Sequence, residues 1–249
     1  MPVKTFWYLT QADGDYPWSP GGLYPVDGQR QIELAKTIDD GGFEGALVAT
    51  WPNDPFISAT WAAAHTSRMK FLVAIYANMM PARLLAEKAL TFDAFSGALS
   101  GVIVRPSRDE AIERFRSLFE KAGIEQIQDV LDKAVRRRTH GKQDLKTFTA
   151  RDAQRQGWVD SINAGTLPEP EDLYLGDGLY AGITAWSPLD IFATGSSAVY
   201  YVGDPDEITG HVRTLRDATG PTSLILAGWP LIDEAKNVAE HLIPRFEKL

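Results

Sequence analysis

Short apolar runs separated by helical patterns constrain this chain more than any other feature. Residues 3–9 (V-K-T-F-W-Y-L), 45–50 (G-A-L-V-A-T) and 69–75 (M-K-F-L-V-A-I) are strand-like. Their apolar residues run almost unbroken instead of alternating with polar ones. That is the pattern of strands buried on both faces of a parallel sheet. Two helical stretches lie between them. In residues 29–40, Ile32, Leu34, Ala35 and Ile38 share one helix face, and Gly41-Gly42 ends the helix. Residues 56–65 carry alanines that suit close packing on a sheet. Strand, helix, strand, helix, strand predicts an α/β architecture.

The pattern continues to the end of the chain. A helix is predicted over 81–95, a strand at 101–104 (G-V-I-V) and an amphipathic helix over 108–122, with Ser107 as its N-cap. Residues 123–185 show no clear strand, and 124–137 and 150–163 look helical. The stretch G-T-L-P-E-P-E-D at 165–172 is a loop. A strand at 196–202, a helix over 205–218, a strand at 223–227 and one last helix over 232–246 complete the order. The expectation is a single α/β domain spanning 1–249, with a largely helical and loop insertion at 123–195.

Composition excludes several chemistries. The 249 residues contain no cysteine, which removes disulfides, thiolate metal sites and cysteine nucleophiles. A formal net charge of −8 argues against nucleic acid as a partner. The basic run Arg136-Arg137-Arg138 reads as a solvated helix end or loop, with anion capture as the alternative. His65, His140, His211 and His241 follow no metal-binding spacing, so no metal site is expected. G-x-S-x-G and the glycine-rich phosphate loops are absent. The chain has neither a signal peptide nor an apolar run long enough to cross a membrane, which predicts a cytoplasmic protein.

In parallel α/β folds the ligand sits at the carboxyl ends of the strands. Here those ends are Thr10-Gln11, residues 50–54, residues 76–78, Arg105-Pro106, Gly203-Asp204 and Gly228-Trp229-Pro230. Trp7, Trp51 and Trp229 are placed either to stack on a flat ring or to pack in the core. Asn53 and Asn78 would orient a polar head group or cap the next helix. Tyr200 and Tyr201 are adjacent in one strand and must point to opposite faces. Met79 and Met80 would line an apolar pocket or plug the core.

Longer stretches carry a resemblance. F-W-Y-L-T-Q-A-D-G-D-Y at 6–16, P-V-D at 25–27, G-G-F-E-G-A-L-V-A-T at 41–50 and R-M-K-F-L-V-A at 68–74 resemble the bacterial luciferase-like flavin monooxygenases, and among them the alkanesulfonate monooxygenases. A-L-T-F-D-A-F-S at 89–96, Y-V-G-D-P at 201–205 and L-A-G-W-P-L-I-D-E-A at 226–235 extend the likeness to the far end. The resemblance implies a (β/α)8 barrel that binds reduced FMN at its carboxyl end. It also implies a small-molecule substrate, and a separate NAD(P)H-dependent reductase as the source of reduced flavin. With the strand ends, it marks Asn53, Asp54, Arg155 and Tyr201 as catalytic candidates. Trp7, Tyr76, Asn78, Gly203 and Gly228 become the cofactor-binding candidates.

The chain departs from the family pattern. S-G-V-I-V-R-P-S at 100–107 resembles the seventh barrel strand, yet it follows almost directly on the third strand and its helix. The expected fold is therefore TIM-barrel-derived but incomplete, a parallel sheet with a helical middle insertion. It would be an open sheet, or one rebuilt from residues 123–195 or by a partner's edge. The family histidine falls near Ala12, its cysteine near Asn53 or Asp54, and its paired arginine and histidine near Leu99 and Gly101. A desolvated sulfonate needs cationic partners, and Leu99 and Gly101 supply none. Two other readings stay open: a non-catalytic flavin-binding or structural relative, and a cofactor-free enzyme on the same scaffold. Helices left without strands to cover predict a homo-oligomer, with a homodimer preferred.

Overall fold

The computed structural model describes residues 3–16, 20–49, 54–74, 98–183, 188–193, 199–219 and 223–249. The first half is β1 (Lys4–Leu9), α1 (Gly28–Asp40), β2 (Gly45–Val48), α2 (Pro55–Ala63), β3 (Lys70–Val73), β4 (Ala98–Val104) and α3 (Arg108–Ala122). Then come α4 (Ile124–Arg138), α5 (Ala153–Asn163), β5 (Tyr174–Gly176), β6 (Leu179–Ala181) and β7 (Val199–Gly203). The chain closes with α6 (Pro205–Thr219), β8 (Ser223–Ala227), α7 (Leu231–His241) and α8 (Ile243–Phe246).

The described strands form one eight-stranded mixed sheet in the order β3-β2-β1-β8-β4-β7-β6-β5. Pairing is parallel from β3 to β7 and antiparallel among β7, β6 and β5. Among the described residues β3 ends the sheet on one side and β5 on the other. The fold is thus an α/β fold with an open, barrel-derived sheet and helical insertions.

Side-chain direction follows from register. Phe6 pairs with Ile225, Ile225 with Leu99, Gly101 with Ala227 and Gly101 with Tyr200, so Phe6, Ile225, Gly101 and Tyr200 share one face. Trp7, Ala46 and Leu226 share the other. Phe6, Leu72 and Ile225, with Leu47 against them, form a patch separate from the main core. The main core joins Trp7 to Leu34 and Ile38 of α1 and to Phe43. At the other end of the sheet, α3 packs on the Tyr200 face through Phe115, whose ring lies 5.8 Å from that of Tyr200. Burying Phe115 completely contributes about 2–3 kcal/mol. Helices therefore cover both faces. A closed barrel keeps one face for its interior, and here α3 occupies that face over β4 and β7.

Local signals place the helix ends. The Asp27 side chain accepts from Gln29 N at α1, Ser107 from Glu110 N at α3 and Asp152 from Arg155 N at α5. Two expectations fail. The middle segment does contain strands, because Tyr-Leu-Gly-Asp-Gly-Leu-Tyr-Ala at 174–181 is a hairpin. Asp177 and Gly178 both have positive φ (49° and 73°), the turn that an Asp-Gly pair favours. Its strands are three residues each, too short for periodicity to reveal. The last helix is also not continuous over 232–246. It breaks at Leu242, because Pro244 has no N–H to donate back to the previous turn.

Candidate functional site at the carboxyl edge of the sheet

The carboxyl ends of β1, β8, β4 and β7 lie along one edge, and a polar network fills the middle of it. Gly228 follows β8 and leads through a cis Trp229-Pro230 bond into α7. Trp229 is buried, and its Nε1–H donates to Ala12 O at 3.5 Å. Asp13, in the loop after β1, is buried and caps α7 from a distance. Its Oδ1 accepts from Leu231 N at 2.9 Å and from Gly14 N at 2.8 Å. Its Oδ2 accepts from Arg30 Nε and Nη2 at 2.9 and 2.8 Å. Burial pushes the Asp13 carboxyl above its usual 3.8, against the Leu231 amide and Arg30, which pull it down.

Glu234 is the centre of the network. It is 1 % exposed. Arg105, just past β4, reaches it with both terminal nitrogens: Nη1 to Oε2 at 2.8 Å and Nη2 to Oε1 at 2.6 Å. Arg114 of α3 adds Nε to Oε1 at 3.4 Å and donates Nη2 to Trp229 O. Burial lowers the pKa of Arg105, but the hydrogen bonds and charge of Glu234 outweigh it and hold the pKa above the ordinary value. The network thus ties α3 on one face of the sheet to α7, the loop after β8 and the end of β4.

Among the described residues, the sequence-derived candidates are spread over the fold. Asn53, Tyr76 and Asn78 lie outside the described residues, as do Trp51, Met79 and Met80. Asp54 is exposed and caps α2, its Oδ1 accepting from Ile57 N at 3.0 Å. Arg155 sits on α5, bonded to Asp190 O at 2.8 Å and paired with Asp152 at 2.8 Å. Trp7 is fully buried, 5.6 Å from the ring of Phe43. Among the described residues its Nε1 has no hydrogen-bond partner. Tyr201 is buried on the face opposite Tyr200, and burial raises its pKa. Gly203 and Gly228 do reach the carboxyl edge. At Gly203 a Cβ would stand 2.7 Å from Glu207 Oε2, and at Gly228 a Cβ would stand 2.7 Å from Glu234 Cβ.

Sequence reading named Arg105 only as a strand end, and it named neither Arg114 nor Glu234. L-A-G-W-P-L-I-D-E-A contains Glu234, but nothing local says that its carboxylate turns inward. On β4, a Cβ on Gly101 would stand 2.5 Å from the Tyr200 ring. The space that a charged side chain would need there is taken by a tyrosine. Burial drives the Tyr200 hydroxyl far above its ordinary pKa, and it donates to Ile183 O at 3.0 Å. Arg136 of the basic run is paired with Asp132 at 2.6 Å, and Arg138 lies over the Phe192 ring. The run is the last turn of α4.

A flavin would need donors for its phosphate and an open cradle for its ring. In the described part of the edge Arg105 and Arg114 are both engaged by Glu234, and Glu207 and Glu234 cover the two glycines. These residues do not fit a flavin phosphate. The two described pockets lie elsewhere. One is an open groove of about 930 Å³ between α1 and α7, lined by charged residues of both signs, including Arg30, Glu33, Lys36 and Lys236. The other, about 400 Å³, is lined by Gln154, Gly157, Trp158 and Asp172. Among the described residues no group of three or more His, Cys, Asp or Glu side chains could hold a metal ion, and no helix is long and apolar enough to cross a membrane.

Comparison with known proteins gives the fold a family setting. The family model for luciferase-like monooxygenases matches residues 7–98. A solved long-chain alkane monooxygenase, LadA, superposes with a TM-score of 0.60 at 11% identity, covering 100% of this chain and 92% of that one. The monooxygenase RslO1 from Streptomyces bottropensis gives a TM-score of 0.42 at 16% identity over 98% of this chain and 100% of that one. Apo-MsnO8 gives 0.45 at 16% identity over 99% of each chain. Residues 7–98 are thus similar to luciferase-like monooxygenases, and the chain as a whole shares its fold with LadA, on an open sheet.

Proposed function

We propose that this chain is an FMNH2-dependent monooxygenase of the luciferase-like type, acting on a small or hydrophobic substrate. The observation that carries the reading is the family match over 7–98, which spans β1 to β3 and includes Asn53, Asp54, Tyr76 and Asn78. The shared fold with an alkane monooxygenase supports an apolar substrate over a sulfonate. So does the lack of a cationic side chain at Gly101. Reduced FMN, delivered by a separate reductase, would supply the electrons for oxygen. No step of that chemistry is assigned to Arg105, Arg114 or Glu234, which hold one another.

A second reading is favoured by that same network. With its arginines engaged and Tyr200 filling the space beside Gly101, the chain suits a non-catalytic relative of the family that keeps the scaffold. Anaerobic titration with reduced FMN, followed by fluorescence or calorimetry, separates the two. A Kd of about 1 μM or tighter, roughly 8 kcal/mol, supports the oxygenase. Substrate-dependent oxygen consumption with a flavin reductase would then complete the case. No binding in either redox state refutes it and leaves the scaffold reading or a cofactor-free enzyme on the same scaffold.

A further inference from the structure

The crevice between β8 and β4 already holds an oxyanion, and the oxyanion is the chain's own. We infer that this crevice is a phosphate-class anion site whose occupant is the Glu234 carboxylate, and that an external oxyanion enters it when that carboxylate is removed. The inference stands apart from the flavin reading, because it concerns Arg105, Arg114 and Glu234 alone.

The crevice lies where the sheet diverges. From β1 the strands run to β2 and β3 toward one side, while β4 to β7 runs toward the other. In open α/β sheets such a divergence opens a crevice at the carboxyl edge, where ligands bind. Glu234 is placed in it from α7, and Arg114 reaches in from α3.

The donors have the geometry that an oxyanion needs. Arg105 presents two nitrogens to two oxygens, the fork that carboxylates and phosphates share. Arg114 contributes a further N–H and is held in place by Trp229 O. Asn237 Nδ2 lies 3.5 Å from Glu234 Oε2.

Residue 228 has no side chain to obstruct the carboxylate's path. A Cβ there would lie 2.7 Å from Glu234 Cβ and 2.9 Å from its Cγ. The donors are also open to solvent. The carboxylate is 1 % exposed, while the Arg105 and Arg114 side chains keep 19 % and 17 % of their surface in solvent. Glu110 and Asp233 add negative charge near Arg105, which keeps the parent site from attracting a second anion. Removing the carboxylate leaves two arginines together at a low-dielectric rim, a strongly unfavourable arrangement that an incoming anion relieves.

The test is titration of inorganic phosphate into the parent and Glu234→Ala, by calorimetry and by thermal unfolding, with chloride at matched ionic strength. The variant is expected to bind phosphate about tenfold or more tighter than the parent, the scale of one or two charge-assisted hydrogen bonds. Adding Arg114→Met should abolish the gain. FMN and riboflavin, titrated alongside, distinguish free phosphate from the phosphate of a larger ligand, because riboflavin lacks it. If Glu234→Ala does not fold in chloride, refolding in phosphate beside the Glu234→Ala/Arg114→Met variant carries the test, since phosphate stabilises any marginal fold: recovery by the single variant only supports the site, and equal recovery of both or of neither overturns it. A folded variant with no phosphate gain over the parent also overturns it. Should the parent bind reduced FMN while the variant gains no phosphate affinity, this inference fails and the flavin reading stands. Should the variant gain phosphate affinity while neither protein binds flavin, the anion site stands and the flavin reading fails.

Discussion

Replacing Gly101 by alanine probes how tightly the Tyr200 ring is packed on the sheet. A Cβ at 101 would lie 2.5, 2.6 and 2.7 Å from three atoms of the Tyr200 ring. Ordinary contact begins near 3.4 Å, so the ring would have to move by nearly 1 Å. It has little freedom to do so. Tyr200 is fully buried, Phe115 packs against it, Gly182 confines its other edge, and its hydroxyl is bonded to Ile183 O at 3.0 Å. Overpacking of this kind costs about 1–3 kcal/mol, and breaking the buried hydrogen bond adds about 1–2 kcal/mol. The expected loss is about 3 kcal/mol. For a chain of this length that is a fall in Tm of roughly 6–12 °C. Urea unfolding at neutral pH measures the first quantity and differential scanning calorimetry the second. A double-mutant cycle with Tyr200→Leu isolates the cause, because the smaller side chain should recover most of the alanine penalty. A loss below about 1 kcal/mol, or no recovery in the double variant, would mean that Tyr200 does not fill the space beside Gly101.

Three other outcomes follow from the same geometry. Asp13→Ala should cost about 2 kcal/mol in urea unfolding, since it removes the distant cap on α7 and leaves Arg30 without its carboxylate. Glu44 is held below its ordinary carboxylate range first by the Lys70 hydrogen bond, so its contribution is present above pH 4.5 and lost as pH falls through the lowered value. Glu44→Gln should therefore flatten the acid limb of the stability profile while changing stability at pH 7 by only a few tenths of a kcal/mol, as befits a largely solvated pair. Gly228→Ala should destabilise by about 1–3 kcal/mol, because its Cβ meets Glu234 and Val102 O at once, and the loss should shrink when Glu234 is also alanine.

What the chain encodes locally was legible from it. Continuous apolar runs read as parallel strands because burial on both faces tolerates no polar alternation, and β1, β2, β3, β7 and β8 lie where those runs do. Ser107 caps α3 because a serine before a helix satisfies its own neighbour's N–H. Such signals act within a few residues and need no partner elsewhere. The Asp177-Gly178 turn was local too, but its strands were too short to stand out beside it. Tertiary structure alone decided the rest. It chose the strand order, set α3 against the face that a barrel would enclose, and filled the space beside Gly101 with Tyr200. It also brought Arg105 to Glu234, 129 residues later. Periodicity reports which face of an element is apolar, but it carries no record of which distant charge that element will meet. The buried carboxylate between two arginines exists only because the sheet joins β4 to β8 and delivers all three residues to one edge.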